Sequence, residues 1–420
     1  MASPTSRWFL VVLIFCTLLL IVWMSGPSRP TGTVMILDGV DCFPGDNYQT
    51  SRFRSDTECV SECHRLGLQV CVVCEGVVYY RRQTIGQCLW HLQPQAQSRV
   101  YLCWDRKLPY FYGVNNRVRR YCQGILGPGG PYQLPDSYQS ITTYLRENHR
   151  SEWLYRHHRN LQRFLDLSPE RFAFQLNPYD LAWSLDTPTF TKSRWLTEPK
   201  RSVLLPLEHL YRPSHYTYIL GQDRPYQDKL DSCVWRGVNS GDFYRNNDQR
   251  ASRRDLVLLY RHRTEYNIGL SYHNTKPPAG QKFSFHGPDY VRGPLSIEEQ
   301  LKYRYIINVE GNDFATSLNW VMLSNSVPLM PEPTVETWKL ESRLVPYVHY
   351  VPLRRDFRDL DQQMAWCRSH QKQCQKIVIM SKLYVLQFFH RSKEQRIIQK
   401  IISTYRNHVK SSELADFETD

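Results

Sequence analysis

KYRYIINVEGNDFATSLNWVMLSNSVPLMPEPTVETWKLESRLVPYVHY, residues 302–350, decides the fold. Residues 305–309 are a short apolar run of β-formers, broken by Glu310-Gly311-Asn312-Asp313. Over 314–324, Leu318, Val321 and Met322 recur at helical spacing. Residues 327–330 read as a second buried strand, closed by Pro331 and Pro333. Strand, polar loop, helix and strand in this order predict a parallel α/β sheet. Ligands of such sheets gather beyond the carboxyl ends of the strands. Backbone N–H groups at a helix start there suit an anion, so a phosphate near residues 312–317 is expected. An ordinary βαβ unit whose loop binds nothing is the alternative.

Upstream, DKLDSCVWRGVNSG (228–241) reads as a strand and then a glycine-punctuated loop. Arg236 with Gly237, Ser240 and Gly241 can bring a guanidinium and backbone amides to a diphosphate, although a structural turn has the same pattern. A basic helix is predicted around Arg250, Arg253, Arg254 and residues 256–259. Strands are predicted at 172–176 and 203–207, and a helix at 137–167. The first of these strands runs into Asn177-Pro178-Tyr179-Asp180, so Asp180 stands where an α/β enzyme places a catalytic carboxylate, and Asp186 follows. Downstream, Asp359-Leu360-Asp361 has the form of a DxD metal motif, but its setting, RRDFRDLDQQM, predicts a solvated helix face. Residues 377–409 form a long amphipathic segment expected to pack across the domains.

The 420 residues suffice for two or three domains, and 41% hydrophobic content indicates a folded protein. The formal charge of +13 favours an anionic partner. The basic residues are scattered and no nucleic-acid motif accompanies them, so a nucleotide-linked small molecule fits better than DNA or RNA. Residues 1–7 read as a cytoplasmic tail, 8–24 as a transmembrane signal anchor and 25–41 as a stem, with a cleaved signal peptide as the rival reading. Eight of the twelve cysteines fall between Cys42 and Cys122, which predicts disulfides and an oxidising compartment. Cys367 and Cys374 can close a small loop, leaving Cys233 as a buried thiol. Within the module 42–122, Cys59 and Cys63 stand four apart on a predicted helix, followed by strands at 77–80 and 88–91. This segment loosely resembles the PAN/apple module, in which a helix is stapled to a sheet.

A wider resemblance covers about residues 172–360. It rests on Val234-Trp235-Arg236-Gly237 with Ser240, on Lys302-Tyr303-Arg304-Tyr305 and Ile307-Asn308-Val309-Glu310-Gly311-Asn312-Asp313, and on Ser324-Asn325-Ser326-Val327. Glu336-Thr337-Trp338, Glu341 and Leu344-Val345-Pro346-Tyr347-Val348-His349-Tyr350 complete it. These residues resemble glycosyltransferase family 90, which includes capsule-associated, lipopolysaccharide-modifying and Rumi-like O-glucosyltransferases. The resemblance implies an α/β protein of GT-B architecture: two Rossmann-like halves, 123–225 on the acceptor side and 226–376 on the donor side, then a C-terminal helix and tail, 377–420. It implies a UDP-sugar donor (glucose or xylose), a glycan or protein acceptor, inversion, and no metal or other cofactor. With the anchor, it implies a single-pass type II protein of the Golgi or endoplasmic reticulum. It casts Asp180, before Pro188-Thr189-Phe190, as base with Asp186 as fallback, and gives the donor to Arg236, Gly237, Ser240 and Gly241. Glu310, Gly311, Asn312, Asp313, Phe314, Ala315, Thr316 and Ser317 complete the donor set, with Glu336 or Glu341 as further candidates for sugar hydroxyls. Ser317 stands where animal members carry an arginine, and residues 312–316 look more like the bacterial branch. A non-catalytic carbohydrate-binding ectodomain is the alternative.

Overall fold

The computed structural model describes residues 34–42, 45–104, 112–127, 129–134, 172, 174–177, 185–197, 200–206, 213–241, 251–272 and 290–410. Strands β1 (Val34–Cys42), β2 (Asn47–Arg52), β3 (Val70–Cys74), β4 (Val77–Arg81) and β5 (Leu92–Cys103) form an antiparallel sheet in the order β1-β5-β3-β4-β2. Helix α1 (Asp56–Arg65) begins where Ser55 Oγ accepts the Glu58 N–H at 3.1 Å. Its Cys59 and Cys63 pack against Cys71, Tyr80, Tyr101 and Cys103 of the sheet. The strand expected at 88–91 is instead helix α2 (Ile85–Trp90). A capping box explains the difference: Thr84 Oγ1 accepts from Gln87 N at 3.2 Å, and Gln87 Oε1 accepts from Thr84 N at 2.8 Å.

Cys42–Cys88 is a disulfide that ties α2 to the end of β1. Cys59, Cys63, Cys71, Cys74, Cys103 and Cys122 are thiols, as are Cys233, Cys367 and Cys374, so the wider pairing expected from sequence is absent among the described residues. The sheet starts at Val34, inside the expected stem. The expected anchor, 8–24, lies outside the described residues, and no helix among the described residues is long and apolar enough to cross a membrane. The expected architecture is therefore corrected to a mixed α/β fold with no membrane-spanning helix among its described residues.

After α3 (Val114–Tyr121) and β6 (Tyr132–Gln133) come β7 (Gln175–Asn177), β8 (Thr189–Thr191), β9 (Ser193–Trp195) and β10 (Ser202–Leu204). β10-β8-β7 is a small parallel sheet. The helix expected at 137–167 lies outside the described residues, as does Asp180.

The second parallel sheet is larger. It consists of β11 (Leu230–Gly237), β12 (Asn267–Leu270), β13 (Tyr303–Ile307), β14 (Val327–Met330) and β16 (Val351–Pro352), with α4 (Arg253–Tyr260), α5 (Ile297–Gln300) and α6 (Leu318–Val321) in its crossovers. The order is β12-β11-β13-β14-β16 and every pairing is parallel. β14 is buried at all four positions, as expected of a strand covered on both faces. The helix expected over 314–324 shrinks to the four residues of α6. Polar side chains ahead of it bond elsewhere: Ser317 Oγ donates to Asn308 Oδ1 at 3.0 Å instead of capping the helix. β15 (Val335–Thr337) leaves this sheet to pair antiparallel with β9, which joins the two halves.

The segment expected as one helix from 377 is two, α8 (Gln371–Leu386) and α9 (Arg391–His408), preceded by α7 (Leu360–Ser369) and followed by β17 (Val409–Lys410). α9 returns to the first half. Tyr405 Oη donates to Pro188 O at 2.8 Å, and fully buried Arg117 of α3 pairs with Glu394, its Nη2 lying 2.8 Å from Oε2. One apolar core takes in Leu37 and Leu89 of the Cys-rich module, Phe190 of the small sheet, and Leu323, Leu386 and Ile401.

Candidate active site

β11 and β13 are neighbours, so the loops that follow them leave the same edge of the sheet. They meet backbone to backbone. Gly241 has φ +94°, and a Cβ there would lie 2.5 Å from Gly311 O. Only glycine tolerates both conditions. Gly241 N donates to Asn312 Oδ1 at 3.0 Å. Arg253, in the first turn of α4, clamps the pair. Its guanidinium donates to Val238 O (3.1 Å), Ser240 Oγ (2.8 Å), Val309 O (3.0 Å) and Glu310 O (3.1 Å). Sequence reading missed this role because Arg253 looked like one cation on a basic helix. Its place in the first turn after a glycine-rich loop was the available signal.

The acids of the second loop are committed to protein. Glu310 accepts from Thr334 N at 2.9 Å, from Val335 N at 3.1 Å and from the Thr334 hydroxyl. Asp313 accepts from Ser193 Oγ at 3.2 Å and stands 3.7 Å from Lys192 Nζ, so it reaches across to β9. Gly311 N donates to Asp313 O at 2.9 Å and shapes the turn. Phe314 and Ala315 are buried, Ser317 is half-buried and Thr316 is exposed. A narrow crevice runs beside them, lined by Asn308, Glu310, Phe314, Ala315, Pro333 and Glu341. Glu341 accepts from Thr337 N at 2.6 Å and pairs with buried Lys339 at 3.0 Å. Burial lowers the Lys339 pKa, and Glu341 opposes that shift. Glu336 holds Arg194 through Nε at 2.9 Å and Nη2 at 2.6 Å.

The structure brings Ser240 and Gly241 against Gly311 and Asn312, but leaves Gly237 at the end of β11 beside β12 and turns the Arg236 side chain toward β12. Arg236 donates to Gly293 O (3.0 Å), Trp235 O (2.9 Å), Asn267 O (2.8 Å) and Asn267 Oδ1 (2.6 Å). Burial, and then Arg292, lower its pKa to about 10, which leaves it charged at neutral pH. Asp186 is 92% exposed and 3.9 Å from Lys200. Asp361 pairs with Arg263 at 3.1 Å on an open surface and accepts from Tyr266 Oη at 2.6 Å. Among the described residues no group of three or more His, Cys, Asp or Glu side chains is placed to hold a metal ion. The loop pair concentrates backbone, small hydroxyls and one fixed guanidinium, an arrangement suited to a phosphate-bearing ligand.

The sequence profile of Glycosyl transferase family 90 matches residues 225–413, from just before β11 to just after β17. The O-glucosyltransferase LpsA of Dichelobacter nodosus is 31% identical over 278 residues, covering 66% of this chain and 77% of LpsA. Protein O-glucosyltransferase 2 of Danio rerio is 30% identical over 156 residues, 36% of this chain and 29% of that protein. Protein O-glucosyltransferase 3 of Rattus norvegicus is 27% identical over 148 residues, 34% of this chain and 27% of that protein. The extent of the LpsA match, together with the profile centred on the donor-side sheet and its loops, establishes that the chain belongs to glycosyl transferase family 90 and is a glycosyltransferase.

Proposed function

We propose that the chain transfers glucose from UDP-glucose to a hydroxyl of a glycan or protein acceptor, with inversion and without a metal ion; xylose from UDP-xylose is the second donor. The observation that carries this reading is the backbone-level meeting of the loops after β11 and β13, held by Arg253. The printed names of the relatives support glucose.

A sugar hydroxyl is a weak nucleophile at neutral pH. Asp180 accepts its proton as the hydroxyl oxygen attacks the anomeric carbon and the bond to the diphosphate oxygen breaks. The leaving diphosphate gains charge, which the amides of 238–240, those of the helix start at 314–317 and the fixed charge of Arg253 offset. The Cys42–Cys88 disulfide supports an oxidising compartment.

The test is release of UDP from a panel of UDP-glucose, UDP-xylose, UDP-galactose and UDP-N-acetylglucosamine, with and without EDTA. Release from UDP-glucose that is insensitive to EDTA is expected. Strict dependence on a divalent ion would overturn the metal-free part, and preference for another donor would overturn the sugar. Asp180→Asn is expected to lower kcat by about 100-fold or more with the UDP affinity unchanged. Full activity in a folded variant would remove Asp180 as the base.

A further inference from the structure

A cavity of about 480 Å³ lies between the Cys-rich module and the donor-side half. Its walls are Gln87, Trp90 and Gln93 from the module, and Asn325, Gln375 and Lys382 from the transferase. Residues 225–227 on its rim precede β11, and Leu323 and Asn325 precede β14, so the cavity opens at the amino ends of the parallel strands. The loops of the candidate active site follow the carboxyl ends. β11 has eight residues, which separates the two places by ~25 Å.

The chemistry of the walls is specific. Lys382 is 3% exposed, and its Nζ donates to Leu89 O at 3.3 Å and to Asn325 Oδ1, leaving a third N–H. It has no carboxylate within ion-pair distance among the described residues, because Asp223 is taken by Lys229 and by Asn325 N. The Trp90 ring lies 5.1 Å from Lys382 Nζ. Half-buried Gln93 and Gln375 line the cavity, and their side-chain amides have no hydrogen-bond partner among the described residues. An indole, two unpaired amides that both donate and accept, and a buried cation with a remaining donor complement a sugar ring, whose hydroxyls do both and whose C–H face is apolar. The volume falls in the range of small-ligand sites.

We propose that this cavity is a saccharide-binding exosite that holds a non-reacting sugar unit of the acceptor. Its link to the acceptor rests on the transferase reading above; its capacity to bind a saccharide does not. The test titrates the full chain with maltotetraose, cellotetraose, xylotetraose and tetragalacturonate by saturation-transfer NMR, and separately with UDP. At least one oligosaccharide is expected to bind. Gln375→Trp, which fills the cavity, and the milder double variant Gln93→Ala/Gln375→Ala are each expected to weaken that binding by about tenfold or more, with UDP affinity and melting temperature unchanged. Asn312→Ala is expected to weaken UDP binding and leave the oligosaccharide alone. No oligosaccharide binding to a wild-type chain that binds UDP would overturn the exosite. So would binding that survives both cavity variants, or binding lost in Asn312→Ala. Oligosaccharide binding without UDP binding would instead overturn the donor reading and leave the exosite standing.

Discussion

Two places in this molecule join distant parts of the chain, and they do it by opposite means. At the β9–β15 junction the join is ionic and dry. Arg194 and Glu336 are both fully buried and bonded to each other, and Arg194 also donates to Tyr121 O at 3.2 Å and Arg120 O at 2.7 Å. Lys339 and Glu341 make a second buried ion pair, within one segment. At the loops after β11 and β13 the join is made of glycine, backbone and one arginine whose partners are mostly carbonyls. The charged residues with the most conspicuous pairing therefore hold the two halves together. The donor side is left with small groups that let a ligand approach the backbone.

That contrast can be broken at several points. Glu336→Ala strands the Arg194 charge in the interior and is expected to cost about 3–5 kcal/mol in thermal or urea unfolding. Arg194→Met/Glu336→Leu should recover most of it. A single-variant loss below about 1 kcal/mol would mean the junction is wetter than described. His349 is buried with Nδ1 accepting from Val345 N at 2.9 Å, and burial lowers its pKa to about 4. A histidine held neutral in the fold contributes stability that is intact above pH about 6.5 and declines as pH falls toward 4, by roughly 3 kcal/mol in all. Urea titrations across that window should show the slope, and His349→Gln should flatten it.

On the donor side, Gly241→Ala meets Gly311 O and a positive φ together. It is expected to strain the loops by about 1–3 kcal/mol and lower UDP affinity about tenfold or more, as isothermal titration would read. Arg236→Met is the sharpest small test. Its bonds to Gly293 and Asn267 predict lower stability with UDP affinity changed by less than about twofold. A larger fall in affinity would return Arg236 to the donor set.

Strands β13 and β14 of the donor-side sheet were legible because burial on both faces leaves an apolar run, and β11 from the residues ahead of its glycine-punctuated loop, whereas the short β12 and β16 were not read. Residues 327–330 are strand as read, and 305–309 shifts only to Tyr303–Ile307. Helix α1 was legible from the spacing of Cys59 and Cys63. What failed was set by polar partners that periodicity does not contain. The Thr84–Gln87 box turns an expected strand into α2, and the bond from Ser317 to Asn308 delays α6. The site was legible as a family motif but not as an arrangement. Arg194 and Glu336 lie 142 residues apart, and Arg253 meets Glu310 across 57, so neither pairing has a local signal. Glu336 was read as a candidate for sugar hydroxyls because an acid in a motif block gives no hint that an arginine from the other half already occupies it.

One contact made by β1 bears on the order in which the chain folds. Asp38 accepts from Arg99 Nε at 2.6 Å within its own sheet, and from Arg391 N at 3.1 Å at the start of α9, 353 residues later. Burial favours its neutral form, but the His390, Arg99 and Arg391 bonds prevail and hold its pKa near 2. The Cys-rich module thus caps the last long helix, and the two share one core. During synthesis this sheet emerges before α9 and lacks the surface that completes it until α9 has left the ribosome. The apolar face that joins the shared core waits while the 353 residues from Asp38 to Arg391 are made. The sheet made ahead of the transferase halves is therefore one whose packing is completed only after them.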